Sequence, residues 1–255
     1  MIGGALLVLI GLVWTLTDLT CGRGEWCIGP GGVQRTWRGR LGPVLVVIGV
    51  LVLSLTATAS PQKAATPAPA AVRIPEASAM YRRWVEQAVT EEWGVDGSPA
   101  RLAAQIHAES SWNAKARSPV GAEGLTQFMP ATSKWIADKF PDKLGGFDPW
   151  DPQQAALAAA IYDRWLADRN PGNGTCSTWS FALSAYNGGE GRLHAEQLLA
   201  SRAGRDPGRW FGHVANMRAR SPGAWRENRT YVQRILTVLE PAYITAGWTG
   251  KAACA

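Results

Sequence analysis

The stretch Gln105-Ile106-His107-Ala108-Glu109-Ser110-Ser111-Trp112-Asn113 decides how this chain is read. It follows Ser98-Pro99, an N-cap residue with proline at the first helical position, and the spacing predicts a helix over Pro99 to Trp112. Leu102, Ile106 and Glu109 then fall at i, i+4 and i+7, on one face. The apolar members of that stripe face a core, which brings Glu109 to a buried position near the helix C-terminus with Trp112 close by. Burial and the negative helix end both disfavour a carboxylate. A carboxyl group that keeps its proton near neutral pH is what a general acid requires. Taken alone, the residue reads more readily as an exposed helix-end carboxylate, the commoner outcome for such a position.

Outward from this helix the pattern stays helical, and no alternating strands are found from about Ala79 onward. Pro130 opens a helix through Trp135 and Ile136. Pro152 to Arg169 has strong helix propensity and is expected to be buried over much of its circumference. Trp179 to Asn187 ends on a glycine stop, Gly188-Gly189. Arg226 to Tyr243 reads as a long final helix with a kink at Pro241. The expectation is an all-α domain over 79–247, followed by a C-terminal tail, 248–255.

Three further motifs follow the first in order: Ser118-Pro119-Val120-Gly121-Ala122-Glu123-Gly124-Leu125-Thr126-Gln127-Phe128-Met129-Pro130, Ala185-Tyr186-Asn187-Gly188-Gly189 and Glu227-Asn228-Arg229-Thr230-Tyr231-Val232. The ordered set resembles the soluble lytic transglycosylase family, whose domain is lysozyme-like and related to goose-type lysozymes. The resemblance covers roughly Ala79 to Gly247. It implies that Glu109 is the catalytic acid/base, with Ser110 beside it, and that Ser118 contacts the substrate near the reacting sugar. It implies that Gln127 and Met129 line the cleft and that Tyr186 and Asn187 face Glu109. Glu227, with Tyr231, would help to orient the substrate's N-acetyl group. Thr126 departs from the family, which usually has Met there; this leaves open a local packing difference or a subsite preference. Outside the motif set, Ser118, Thr126 and Gln127 read as turn and cap residues, Tyr186 as a core aromatic, and Glu227 with Tyr231 as a surface i, i+4 pair.

The implied reaction is cleavage of the MurNAc–GlcNAc β-1,4 linkage of peptidoglycan with a 1,6-anhydro-MurNAc product, a single Glu serving as acid and then base. A goose-type muramidase would instead use water and a second carboxylate, for which Asp138, Asp148 and Asp151 are available. An inactive wall-binding component of a secretion, conjugation or phage system is the reading from another class. A holin-like hairpin with an appended enzyme is a third, against which the absence of charged residues in the apolar runs argues.

Those runs are N-terminal. Met1 to Thr17 and Leu41 to Gln62 carry no charged side chain, and the second reaches the roughly 20 residues that a bilayer crossing needs. The first competes with a signal-peptide core, but no Lys or Arg precedes Arg23 to form a basic leader. Two transmembrane helices within 1–62, joined by a loop at about 18–40, are therefore expected. Arg23, Arg35, Arg38 and Arg40 hold that loop in the cytoplasm, although Lys63 and Arg73 argue weakly the other way. The protein is then a multi-pass protein of the cytoplasmic membrane with its domain on the extracytoplasmic side. Residues 63–78, rich in Pro, Ala and Thr, form an extended spacer that either gives reach toward the wall or simply separates domains.

The formal charge of +6 is split evenly about Ala79, and Glu190 to Arg234 is Arg-rich. Without a recognition motif this stretch reads as a solvated basic face beside an anionic wall or membrane, and no nucleic-acid partner is expected. His107, His194 and His213 lack metal-ligand spacing, so no metal or other cofactor is expected. Cys21 and Cys27 lie in the loop, whereas Cys176 and Cys254 lie outside, where a disulfide is allowed.

Overall fold

A computed structural model of the chain describes residues 26–29, 32–35 and 72–254. The first two segments are an antiparallel hairpin, β1 (Trp26–Gly29) and β2 (Gly32–Arg35), with Gly29 opposite Gly32. It falls in the expected loop at about 18–40, where β-branched Ile28 and Val33 flank a Gly/Pro cluster. The apolar runs at 1–17 and 41–62 lie outside the described residues. Among the described residues no helix is long and apolar enough to cross a membrane.

From Ser78 onward the chain is helical: α1 (Ser78–Trp93), α2 (Pro99–Ser110), α3 (Pro130–Lys139), α4 (Pro141–Leu144), α5 (Pro152–Arg169), α6 (Thr175–Gly188), α7 (Glu190–Arg202), α8 (Pro222–Arg234) and α9 (Glu240–Thr245). α2 is the hub, with every residue from Pro99 to His107 buried, and α1, α5 and α9 pack around it. Leu102 and Ile106 do face the core. α5 has the bounds that its composition predicts; Asp151 caps it by accepting from the amides of Gln153 and Gln154, and six alanines are buried along it or at its start.

Two expectations for the C-terminal part change. The final helix starts at Pro222, because Ser221 accepts from Ala224 N and proline takes the first position. Its irregularity is a π-helical turn, Ile235–Leu239, just before Pro241 rather than at it. Proline has no N–H for the carbonyl four residues back, and widening the preceding turn accommodates this. Residues 248–254, expected to be a tail, are built into the domain. Trp248 and Ala253 are buried, Ala100 N donates to Thr249 O at 2.9 Å, and Arg101 donates to Lys251 O at 2.9 Å. Glu240, fully buried, accepts from Arg101 at 2.9 Å, Ser98 Oγ at 3.3 Å and Ala253 N at 3.1 Å. Cys176 and Cys254 form a disulfide that ties this segment to α6. At the other end Val72, Ile74 and Ala77 pack on the core, so part of the 63–78 spacer also belongs to the folded body.

Candidate active site

Glu109 sits in the last turn of α2, at the edge of a cleft of about 600 Å³. The helix stops at once: Ser111 and Trp112 both take left-handed backbone angles, φ 51° and 69°. That reversal turns Trp112 away from the cleft. Its ring is buried among Tyr81, Tyr243 and Trp248, and its indole N–H donates to Tyr243 at 2.5 Å. Trp112 is thus part of the core behind α2 and not among the cleft residues, contrary to the expected proximity.

The second motif folds into a tight loop that forms one wall. Its backbone is pinned by short pairings of Glu123 with Arg117 and Phe128. Ser118 Oγ accepts from Ala122 N at 2.9 Å, and Gln127, itself left-handed at φ 51°, donates its amide to Ala116 O at 3.1 Å and Gly124 O at 2.9 Å. Gly124 combines φ 74° with a backbone so close to Pro149 that a Cβ would collide with the carbonyl oxygen. Only glycine fits there. Thr126 is buried and lies outside the cleft lining, so its departure from the family pattern bears on packing; its carbonyl accepts from Tyr186 at 2.8 Å.

The opposite wall comes from α6 and α8. Asn187 Oδ1 accepts from Asn228 Nδ2 at 2.8 Å, and Asn228 also holds Ser184, which fixes α6 against α8. Tyr231 donates its hydroxyl to Glu109 Oε1 at 2.5 Å. Glu227, one turn earlier, is exposed to the cleft.

Of the residues expected from the sequence, Glu109, Ser118, Gln127, Met129, Tyr186, Asn187, Glu227 and Tyr231 line this one cleft. Ser110 is not among its lining; its hydroxyl turns back to Ile106 O at 3.4 Å. Asp138, Asp148 and Asp151 are not in it either: Asp138 pairs with Lys134, Asp148 accepts from Trp150 N, and Asp151 caps α5. The structure adds Tyr162 from α5, and Arg226, Thr230 and Arg234 from α8. The α8 residues were within reach of the sequence, since 226, 230 and 234 repeat every four residues beside Glu227 and Tyr231. Tyr162 carried no such signal. The Arg-rich stretch is not simply a solvated face: Arg220 and Arg229 are drawn inside by the buried Glu196 at 2.8 Å each.

Enclosure pushes the Glu109 carboxyl up to about 8; the Tyr231 hydrogen bond pulls it back, and Asp163 and then Glu227 add to the rise. Tyr186 and Tyr231 are likewise pushed well up, by burial first and then by the Glu109 charge, so both are neutral donors. The site therefore presents one protonated carboxyl group, oriented by a phenol, to a groove of mixed polarity. None of the three histidines faces it as a ligand set: His107 contacts Tyr243, His194 contacts Asn170, and His213 accepts from Asp206 N.

Residues 87–206 match the Transglycosylase SLT domain family. The chain is similar to the membrane-bound lytic murein transglycosylase F of Maricaulis maris, with 36% identity over 135 residues, covering 51% of this chain and 26% of that protein. It is similar to the protein of the same name from Vibrio campbellii, with 29% identity over 162 residues, covering 63% of this chain and 26% of the relative. Among solved structures, the 70 kDa soluble lytic transglycosylase of Escherichia coli aligns with 24% identity and a TM-score of 0.47, over 66% of this chain and 25% of that one. The chain spans about a quarter of the length of these relatives. The segment that contains Glu109, the pinned loop and the Tyr186-Asn187 wall thus falls within the residues that match the Transglycosylase SLT domain family.

Proposed function

We propose that this chain is a peptidoglycan lytic transglycosylase in which Glu109 alone supplies acid and base catalysis. The observation that carries the proposal is the Glu109 carboxyl, held protonated up to about 8 and bonded through Oε1 to Tyr231 at the edge of a glycan-sized cleft. Glu109 protonates the glycosidic oxygen of the MurNAc–GlcNAc linkage. The substrate's own N-acetyl group stabilises the cationic carbon, and Glu227 orients that group. The resulting Glu109 carboxylate then takes the proton of the sugar's 6-hydroxyl, which closes onto the anomeric carbon as 1,6-anhydro-MurNAc. Tyr231 stays hydrogen-bonded to one oxygen throughout and keeps the other aimed at the bond. The single-carboxyl reading is supported by the cleft lining, where the one other acidic side chain is the exposed Glu227. Two-carboxylate hydrolysis needs a second group placed across the bond.

We also propose that two N-terminal helices anchor the chain in the cytoplasmic membrane with its domain on the extracytoplasmic side, a reading supported by the two apolar runs, the Arg-bearing loop between them and the membrane-bound relatives. The Cys176–Cys254 disulfide suits an extracytoplasmic domain. Digestion of peptidoglycan by the full chain, read by mass spectrometry, tests the reaction. Ends one water lighter than hydrolytic ends are expected; reducing ends alone would make the protein a goose-type muramidase, and no cleavage would leave a wall-binding component. Protease added to wall-stripped cells should release the domain by cutting in the Pro/Ala spacer, and complete protection would reverse the topology.

A further inference from the structure

Beside the apolar stripe of Leu102 and Ile106, a row of polar side chains on α2 also leads to Glu109. Arg101, Gln105 and Glu109 follow at four-residue spacing and stack on one side of the helix. Arg101, at the far end, is taken by Glu240. Gln105, in the middle, is 1% exposed and donates its amide to Oδ1 of Asp163 at 3.2 Å. Asp163 comes from α5, is 2% exposed and forms no ion pair within 4.0 Å among the described residues. The carbonyl oxygen of Gln105 has no partner. Sequestering a carboxyl group with one neutral donor costs several kcal/mol in general, and simple packing would favour an apolar side chain in its place. The adjacent residue, Tyr162, lines the cleft.

We propose that Asp163 is a positioning residue for the cleavage reaction, acting on Glu109 through its charge: held by Gln105 one turn further back along α2, its carboxylate opposes loss of the Glu109 proton. The inference rests on Glu109 being the acid. The groups that share the cleft with Glu109 are Tyr162 from α5, Tyr186 from α6, and Tyr231, Glu227, Arg226 and Arg234 from α8, while Asp163 of α5 lies behind it against Gln105. Tyr162 is pushed up to about 12 and is neutral, as are Tyr186 and Tyr231. His107 is lowered by burial and then by Arg234, so it is neutral too. Arg226, Glu227 and Arg234 are exposed, and solvent screens their charges. Asp163 is the one acidic group acting on Glu109 from inside.

The two carboxyl groups titrate as a coupled pair. Burial raises Asp163 to about 7, while Gln105 and then Arg101 favour its charged form. Of the two, Asp163 has both an amide donor and the Arg101 charge favouring its ionised form, and in that form it holds the proton on Glu109. Replacing Asp163 by a neutral group of the same shape lowers the pH at which Glu109 loses its proton.

The test is Asp163→Asn in the full chain, with two readouts. The first is infrared titration of the protonated carboxyl band, assigned to Glu109 by its loss in Glu109→Gln; the second is the pH profile of kcat/KM on peptidoglycan. Both should move to lower pH together, by about half a unit or more, with the acidic plateau kept within about twofold. Asp168→Asn, exposed on the same helix and paired with Arg164, should leave both unchanged. If Asp163→Asn does not fold, Gln105→Leu serves: losing the donor disfavours charged Asp163, so the Glu109 titration again moves down. An unmoved Glu109 titration in a folded variant overturns the proposal, as does a rate loss at every pH with an unmoved profile. The infrared titration needs no turnover, so failure of the catalytic reading and failure of this inference give different results.

Discussion

Three carboxyl groups are buried in this domain, those of Asp163, Glu196 and Glu240, and together with the half-buried Glu109 they are treated in two ways. Glu196 and Glu240, both fully buried, are saturated with donors. Glu196 accepts from Arg220 at 2.9 and 2.8 Å, from Arg229 at 2.8 Å and from Ala219 N at 3.3 Å; Glu240 binds Arg101, Ser98 and Ala253 N. Glu109 has one phenol at 2.5 Å and Asp163 one amide at 3.2 Å. The first pair ties elements together: Glu196 joins α7 to α8, and Glu240 joins α9 to the start of α2 and to residues 251–254. In the second pair neither carboxyl group has an ion-pair partner within 4.0 Å among the described residues. A carboxyl group matched by guanidinium ties elements together, whereas Glu109, given only a phenol, keeps a proton to give.

Glu109→Gln should break the contrast most. Cleavage should fall by at least about 10²–10⁴-fold, since one residue supplies both proton transfers, while helical circular dichroism and peptidoglycan binding persist. The folded-state value near 8 is raised, so stability is full below the ordinary carboxylate range and falls as pH climbs toward about 8. Gln removes that penalty and should stabilise the domain by about 1–3 kcal/mol at pH 7 in denaturant titrations. Retained activity would remove Glu109 from the reaction; unchanged stability would mean that its carboxyl is not destabilised by enclosure.

Glu196→Gln should behave in the opposite way. It strands two buried guanidinium groups and should cost about 3–5 kcal/mol, seen as a lower denaturation midpoint, with the alkaline limb of the pH profile unmoved. A cost near zero would show that the ion pairs are not what joins α7 to α8. Reducing the Cys176–Cys254 disulfide should cost about 2–4 kcal/mol, chiefly by freeing the unfolded chain. Equal midpoints in oxidising and reducing buffer would show that the Glu240 contacts alone retain residues 248–254. The smallest effect belongs to Tyr231→Phe. The hydroxyl favours the Glu109 carboxylate, so its loss should move the alkaline limb to higher pH by less than about one unit. That direction is opposite to the one expected for Asp163→Asn, and a downward shift would contradict the role given to the phenol.

The helix stop explains why Trp112 was misplaced in sequence reasoning. Helical periodicity carried past Ser110 keeps it near Glu109, but two consecutive left-handed residues reverse the chain and bury it behind α2. Residues 248–254 were misread for a different reason: Gly247 and the polar end of the chain resemble a boundary, and nothing local announces that Cys254 meets Cys176 or that Ala253 N meets Glu240.

By itself the sequence determined the helical class, the bounds of α5, the start of α2 and the placement of Glu109 in its last turn. These follow from caps, proline and a 3.6-residue period, which act within a few residues of chain. Eight of the cleft residues, from Glu109 to Tyr231, were legible through four ordered motifs, and Tyr162 was not. Only the tertiary structure decided which buried charges are matched and which are left wanting. Glu109 meets Tyr231 across 122 residues, Gln105 meets Asp163 across 58, and Glu196 finds Arg220 across 24. An arginine on a solvated face and one drawn inside by a carboxylate look the same in one dimension. What separates them is the free energy of desolvation, set by partners that only the folded chain brings together.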